Sequence, residues 1–254
     1  EYESINATIE ETILENNKIN FSIFIDEIEK QYVERINIIG NNITREDVIR
    51  NKLILDEGDA FNKILHKKTI NELRSLNFFS SVDAEVVQGA SKNSKIINIE
   101  VTEKPTGEIS AGAGVGTSGS TLGFAVKENN FLGRGIQFST NLELSEESIR
   151  GMFSVANPNF RGSDQSVFTT IQSSETDRLA DYGYKTTKTG FTLGSRFEYY
   201  EKVFLSPSVT TYYESLKVDS TASSTLEKQK GTYFDTDLNY LIDYDKRNQK
   251  FQTT

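Results

Sequence analysis

The sequence has no cysteine, which excludes disulfide bonds, thiolate chemistry and cysteine-ligated metals but leaves the cellular compartment open. Histidine occurs once, at His66, among Lys63, Lys67 and Lys68 on a predicted helix, where we expect a solvated surface residue rather than a ligand or a base. Long hydrophobic runs are also missing. The densest one near the start, residues 21–25, is far shorter than the roughly 20 residues that a membrane-spanning helix needs.

Charge and composition restrict the partners of the chain. A formal net charge of −9 argues against nucleic-acid binding, which needs a basic surface. The length of 254 residues allows one large domain or two smaller ones. The first residues carry neither Met nor a basic or apolar segment, so no signal peptide is visible. A processed precursor or an excised piece of a longer protein is expected to look like this.

Residues 1–105 carry both strand and helix patterns. Two strands are predicted at 5–13 and 18–26, and we expect residues 1–30 to be the end of a preceding domain, because two strands cannot bury enough surface alone. Residues 31–105 predict a complete α+β unit in the order strand, helix, helix, strand, strand. Its first helix is predicted to begin with Thr44 as the cap and to extend towards Leu55. Its second helix is predicted to run from Asn62 to Leu76, with Asn77 left-handed after it.

From residue 106 onward the sequence predicts only strands and turns. Side chains alternate between an apolar face and a small or polar face, which is the period of a strand with two different surroundings. About eight such strands are predicted, at 106–117, 122–127, 136–145, 149–157, 165–174, 187–200, 204–218 and 232–245.

Such an antiparallel meander fits either a soluble sandwich or an outer-membrane barrel, whose apolar face contacts lipid. The clearest predicted strands exceed the five or six residues usual in soluble proteins and suit the roughly 9–11 of a tilted membrane strand. No predicted helix could cover the apolar face that lies opposite Asp235, Asp237 and Asp243. The pattern therefore favours a membrane barrel. A polar lumen also explains these aspartates and Asp245 without a metal site.

Short motifs occur at 32–41, 76–83, 101–105, 129–135 and 157–160. Together they resemble the BamA family of outer-membrane protein assembly factors. Residues 32–41 look like the first strand of a POTRA domain, 76–83 like its second-helix exit and 101–105 like the junction to the barrel. The family usually has glycine at the place of Asn77. Residues 129–135, Asn-Asn-Phe-Leu-Gly-Arg-Gly, and 157–160, Asn-Pro-Asn-Phe, resemble the first barrel turns.

The resemblance implies an α+β POTRA domain at 31–105, the membrane-proximal one, followed at 106–254 by the N-terminal part of a 16-stranded antiparallel barrel. About eight strands are present, so the barrel is expected to be incomplete and the chain to be a piece of a longer protein. The outer membrane is the implied location, with the POTRA domain in the periplasm.

The resemblance also implies a function, without enzymatic activity or cofactors. That function is insertion of β-barrel clients into the outer membrane by strand templating at POTRA and barrel edges, with unfolded clients, accessory lipoproteins and lipid as partners. Glu57 is the implied lipoprotein contact, although residues 56–58 also read simply as a helix end. The first barrel strand borders the family's lateral gate, which gives these candidate residues: Glu108, Ile109, Ser110, Ala111, Gly112, Ala113, Gly114, Val115 and Gly116.

Two alternatives stay open at this point. A related POTRA-barrel protein that secretes or translocates a passenger would share the fold. A passive channel would fit residues 106–254 but leaves the POTRA unit unexplained. The glycines of the first barrel strand also have two readings, because they either relieve crowding or weaken the commitment of the strand to one pairing.

Overall fold

The computed structural model describes residues 5–14, 18–27, 29–116 and 119–246. Their internal contacts divide them into two units. The first unit comprises the residues up to Asn42 together with Lys52–Lys104. The second comprises Ile43–Asn51 together with the residues from Pro105 onward. None of the helices in the described ranges combines the length and the hydropathy that a membrane span requires.

The first unit contains two sheets. Strands β1 (Ile5–Leu14) and β2 (Lys18–Glu27) form an antiparallel pair, at the two places where strands were predicted. Strands β3 (Tyr32–Ile39), β4 (Phe79–Gln88) and β5 (Ser94–Glu103) form a sheet in the order β3-β5-β4. In that sheet β5 runs parallel to β3 and antiparallel to β4.

Helix α2 (Lys63–Ser75) supplies the apolar layer of the first unit. The Asn62 side chain accepts a hydrogen bond from the Leu65 N–H at 2.8 Å and so caps the helix. Beyond the helix, Asn77 has a φ of 59°, the left-handed conformation that the sequence predicted. The most deeply buried side chains of this unit are Val33, Leu73, Val82, Ile97 and Ile99.

The prediction for the first helix was wrong in its cap and in its length. Helix α1 spans only Glu46–Arg50, Arg45 occupies its N-cap position, and no side chain caps it. The Thr44 hydroxyl instead accepts a hydrogen bond from Asn130, 86 residues away. A long-range partner has therefore replaced the local cap, and the apolar residues that follow α1 reach the interior from turns rather than from a helix.

The second unit is built on one eight-stranded antiparallel sheet. Its strands follow one another in sequence order across the sheet, from one edge to the other. They are β6 (Gly107–Gly116), β7 (Gly119–Phe131), β8 (Ile136–Ser145), β9 (Ser148–Asn157), β10 (Ser166–Arg178), β11 (Tyr184–Tyr200), β12 (Val203–Val218) and β13 (Gly231–Tyr244). This meander and the strand–helix–helix–strand–strand order before it confirm the predicted fold class.

The register keeps the two faces of the sheet distinct. Cross-strand partners on one face form a largely apolar row of five apolar side chains and three threonines: Ile109, Val126, Thr140, Phe153, Ile171, Phe191, Thr211 and Thr236. The neighbouring row on the opposite face is Ser110, Ala125, Asn141, Met152, Gln172, Gly190, Tyr212 and Asp235. The alternation read from the sequence is therefore preserved across all eight strands.

Some details of this region differ from the prediction. Two one-turn helices, α3 (Leu179–Tyr182) and α4 (Ser224–Lys228), and a 3-10 turn at Phe160–Gly162 occur where only strands and turns were expected. Such short helices give no readable period. Strands β10 and β11 also run four and three residues beyond their predicted ends, because Lys185 pairs with Glu175 at 2.6 Å and with Asp177 at 3.1 Å across the extended ladder. The predicted turn at 118–120 includes Ser118, which lies outside the described residues.

Candidate functional site

Strand β6 contains all nine candidate gate residues, from Glu108 to Gly116, and it is the first strand of the sheet. It pairs with β7 in an unbroken register from Gly107 opposite Glu128 to Gly116 opposite Gly119. Within the described ranges no strand pairs with its other side. Every residue of β6 is exposed, and Ile109 and Val115 retain 83% and 89% of their surface. A row of backbone amides and carbonyls is thus open to another strand.

Three glycines of β6, Gly112, Gly114 and Gly116, lie in open space, whereas a Cβ at Gly107 would lie 2.9 Å from a Glu128 carboxylate oxygen. A Cβ built at Gly112 or Gly114 would meet no atom of the described residues within 4 Å. The contrast with β11 is clear, since a Cβ at Gly190 would lie 2.6 Å from the Tyr212 ring and one at Gly194 would lie 2.2 Å from the Phe168 ring. Relief of crowding accounts for the glycines of β11. The neighbours in this sheet provide no such reason for Gly112, Gly114 and Gly116.

Thr106 and the first residues of β6, here called the base of β6, are joined to β7 by hydrogen bonds. The Thr106 carbonyl accepts from the backbone N–H of Asn129 at 3.4 Å and from its Nδ2 at 3.3 Å. The Thr106 hydroxyl donates to the Glu128 carboxylate. The same carboxylate oxygen of Glu128 accepts from the Asn130 N–H at 2.7 Å. Glu128 therefore joins Thr106, the residue before β6, to Asn130 near the end of β7.

Glu57 lies in the exposed turn that follows the α1 region, in the first unit. Its Oε1 accepts a hydrogen bond from the Ile36 N–H at 3.0 Å. Two further hydrogen bonds, from Gly58 N–H to the Val33 carbonyl and from Val33 N–H to the Asp59 carbonyl, join the same turn to β3. Glu57 thus has a structural role, because its carboxylate gives the Ile36 N–H on the edge of β3 a hydrogen-bond acceptor.

The two edge strands of the sheet β3-β5-β4 differ in how accessible they are to another strand. The edge of β3 is occupied by residues 57–61, whose backbone bonds include one from Phe61 N–H to the Gln31 carbonyl at 2.7 Å. The other edge is β4, which pairs only with β5 among the strands that the structure describes. One of its carbonyls, that of Val82, accepts from Arg74 Nη2 at 2.9 Å. Strand β4 is therefore the more accessible of the two edges.

His66 is half-buried rather than fully solvated, which corrects the prediction for this residue. Its ring centre lies 6.0 Å from that of Phe61. Burial lowers the pKa of His66 below its ordinary value, because the charged imidazolium loses contact with water. The helical periodicity of the sequence does not predict this burial, because Phe61 precedes the helix and contacts His66 from outside it.

The aspartates of β13 occupy one face of the sheet, and Asp243 forms an ion pair with Arg196 at 2.8 Å. Asp245 follows the end of β13, and its N–H donates to the Lys202 carbonyl. Across the ranges that the structure describes, no three potential metal-ligating side chains come together. Sequence reasoning also missed Asn130, a buried amide inside the turn motif at 129–135.

Two family models match the chain. Residues 31–104 match the POTRA model, described as surface antigen variable number repeat, and residues 130–254 match the Omp85 superfamily domain. The chain is BamA-like. Among curated proteins it is similar to outer membrane protein assembly factor BamA of Neisseria meningitidis, at 28% identity over 148 residues that cover 58% of this chain and 19% of that protein.

Solved structures show the same BamA-like fold. BamA from Haemophilus ducreyi lacking POTRA domains 1-3 aligns with a TM-score of 0.74 at 20% identity, covering 99% of this chain and 51% of that one. CdiB from Acinetobacter baumannii aligns with a TM-score of 0.53 at 12% identity, covering 96% of this chain and 48% of that one. The chain therefore spans about half of these structures and about a fifth of the Neisseria relative. These findings support a location in the outer membrane, with the POTRA domain in the periplasm.

Proposed function

We propose that this BamA-like chain takes part in the assembly and insertion of β-barrel proteins into the outer membrane, with β6 as a templating strand. The observation that carries the proposal is the edge of β6, which no described strand occupies and on which Gly112, Gly114 and Gly116 have no packing role among their described neighbours. The BamA relative, which is named an outer membrane protein assembly factor, supports the same function.

The physical reason for such a template lies in the backbone. In hydrocarbon each unsatisfied amide or carbonyl costs several kcal/mol, so a client strand needs partners before it enters the membrane. An open edge offers a complete ladder of them, and the client gains main-chain hydrogen bonds by strand addition. Glycines lower the cost of exchanging partners, because they contribute little side-chain packing to the existing pairing. No nucleotide and no catalytic residue is required.

The proposed domain organisation follows the same scheme. Residues 1–30 would end a preceding POTRA domain, 31–105 would form the membrane-proximal one, and 106–254 the N-terminal part of the barrel. The accessible edge of β4 would give clients an earlier strand partner in the periplasm. The apolar row that contains Phe153 and Phe191 would contact lipid, and the opposite row would line the lumen.

We further propose that Glu57 contacts an accessory lipoprotein through its negative charge. Replacement of Glu57 by glutamine keeps an oxygen that accepts from the Ile36 N–H and removes only the charge. Loss of lipoprotein co-purification in the glutamine variant, with unchanged circular dichroism, is the expected result. Retention of the lipoprotein at wild-type levels would assign Glu57 to the β3 edge alone.

Disulfide trapping of a client tests the templating role. The chain has no cysteine, so a single cysteine can be placed at Ser110 in β6 or, as a matched control, at Ser139 in the interior strand β8 on the same face. A stalled client with a cysteine in its last strand should cross-link to position 110 and not to position 139. Equal cross-linking at both positions, or none at either, would contradict templating by β6.

The alternative function, translocation of a passenger, would give a different product from barrel assembly. A related POTRA-barrel protein that translocates a passenger would share the fold, so the fold alone does not choose between the two functions. In proteoliposomes that contain the full-length protein, an assembled client becomes a protease-resistant barrel in the bilayer. A translocated passenger would instead be recovered in the far compartment without folding into the bilayer.

A further inference from the structure

The 129–135 turn consists of the last three residues of β7 and the four residues that lead to β8, and it has an unusual backbone. Leu132, Gly133 and Gly135 all have positive φ values, of 54°, 68° and 65°. Asn130, Gly133 and Gly135 are nevertheless buried, although the segment is a turn rich in polar groups. Turns normally face water, because a buried one must satisfy its polar backbone internally. Something in the second unit therefore covers this turn.

The covering element is the segment Ile43–Asn51, which belongs to the same unit and contains helix α1. The Arg45 N–H donates to the Gly133 carbonyl at 2.8 Å. A Cβ at Gly133 would lie 1.9 Å from the Ile43 carbonyl oxygen, so only glycine permits this approach. At Gly135 a Cβ would lie 3.1 Å from Val48 Cγ1.

Asn130 is the buried polar centre of this contact. Its Nδ2 donates to the Thr44 hydroxyl at 2.8 Å, and its Oδ1 accepts from the Gly135 N–H at 2.7 Å. Thr44 retains 2% of its exposure and Asn130 6%. Removal of the Thr44 hydroxyl would take away the acceptor of the buried Asn130 amide, and such a loss costs more than the bond itself contributes. The hydrogen bond between Thr44 and Asn130 therefore holds the segment Ile43–Asn51 against the 129–135 turn.

Further hydrogen bonds connect Asn130 to the base of β6. The Asn130 N–H and the Thr106 hydroxyl donate to the same Glu128 oxygen, and Asn129 donates twice to the Thr106 carbonyl. A continuous set of hydrogen bonds thus runs from Thr44 through Asn130 and Glu128 to Thr106, the residue before β6. Neither Thr44 nor Asn130 belongs to the strand that would pair with a client.

We propose that Thr44, Asn130 and Gly133 are positioning residues: they clasp helix α1 to the 129–135 turn and thereby hold the base of the gate strand in its pairing with β7. This inference deepens the proposed function and relies on it only in treating β6 as the gate strand. Release of the clasp would loosen the first residues of β6 without altering its open edge.

Amide hydrogen exchange in the full-length protein, without any client, tests the clasp. The Arg45 amide reports on helix α1, because it bonds to Gly133, and the Asn129 amide reports on the base of β6, because it bonds to Thr106. Thr44→Val keeps the shape of the side chain and removes its oxygen. Both amides should then exchange about tenfold faster, which corresponds to about 1.4 kcal/mol. Thr44→Ser keeps the oxygen and should restore the wild-type rates.

Two matched controls separate the clasp from general loosening. Thr210 is also buried, at 5% exposure, and shares a 3.0 Å hydrogen bond with Thr192 in the same sheet, so Thr210→Val should leave both reporter amides unchanged. Gly133→Ala should accelerate both. Gly162→Ala should accelerate neither, because Gly162 has a similar φ of 74° but open space around it.

The proposal is overturned if Thr44→Val accelerates Arg45 alone, if it accelerates neither amide, or if Thr210→Val accelerates Asn129 equally. Because no client is present, these outcomes are independent of whether β6 templates an incoming strand. A clasp that passes this test while the Ser110 cross-link fails would remain a positioning device in a protein with another function.

Discussion

Replacement of Gly112 and Gly114 by threonine tests whether the gate strand must part from its neighbour. Both residues lie on the face of β6 that carries Ser110, and a Cβ at either position meets no described atom within 4 Å. The substitutions therefore add β propensity without an evident clash. If insertion requires β6 to exchange its pairing, the double variant should insert clients more slowly although it folds at least as stably.

The expected magnitude follows from the register. A change from glycine to threonine in a strand is favourable by about 1 kcal/mol per site, so the two together strengthen the pairing by about 2 kcal/mol. At 1.4 kcal/mol per factor of ten, this corresponds to about 30-fold in the pairing equilibrium. Gly114 lies opposite Thr121, whereas Gly112 lies opposite Gly123. The substitution at 114 should have the larger single effect, because a threonine pair across strands adds about 0.2–1 kcal/mol.

The assay is client insertion into proteoliposomes, measured beside the melting temperature of each variant. Gly151→Thr is the control for an interior strand, since a Cβ at Gly151 also meets open space but the residue lies in β9, on the face that carries Phe153. It should stabilise the sheet without slowing insertion. Unchanged insertion in a double variant that melts no lower than wild type would refute the exchange argument. Equal slowing in the Gly151 variant would assign the effect to general stiffening of the sheet.

Three further outcomes are expected. Fluorophores at Phe191 and at the adjacent Thr192 of the full-length protein should respond to lipid-borne and to aqueous quenchers respectively, and a reversed response would contradict the facing of the sheet. Because burial lowers the pKa of His66 below its ordinary value of 6.5, the unfolded chain takes up the proton first as the pH falls. The stability of the first unit should therefore decrease below about pH 6.5, and the urea midpoints of a His66→Gln variant should show a flatter pH dependence. Lys202→Gly should stabilise the β11–β12 hairpin by about 0.5–1 kcal/mol, since Lys202 has a φ of 63° that costs a residue with a Cβ about 1–2 kcal/mol. An unchanged denaturation midpoint would show that the turn relieves this strain elsewhere.

The features that sequence predicts well here depend on neighbours along the chain. Alternation at period two located all eight strands of the second unit and fixed which side chains share a face, because register follows from that alternation. Asn77 was predicted to be left-handed on local grounds alone, and its φ of 59° agrees. For the same reason Asn62 was found as the start of helix α2.

The features that were missed depend on residues far apart in the sequence. Thr44 matched a local capping pattern, yet its hydroxyl bonds to Asn130 across 86 residues. His66 is partly covered by a ring that lies outside its own helix. The role of Glu57 at the β3 edge was equally hidden, because the Ile36 amide it satisfies belongs to another element. Periodicity describes one element at a time and carries no information about such partners.

An open strand edge also attracts further copies of the same chain. Soluble proteins block such edges with lysine, proline or a bulge. Strand β6 has none of these between residues 107 and 116: Glu108 is its one charged residue, and its pairing with β7 contains no irregularity. The feature by which we propose that β6 receives a client would therefore also let two copies of this chain associate. At high concentration, this chain should form dimers joined edge to edge through β6.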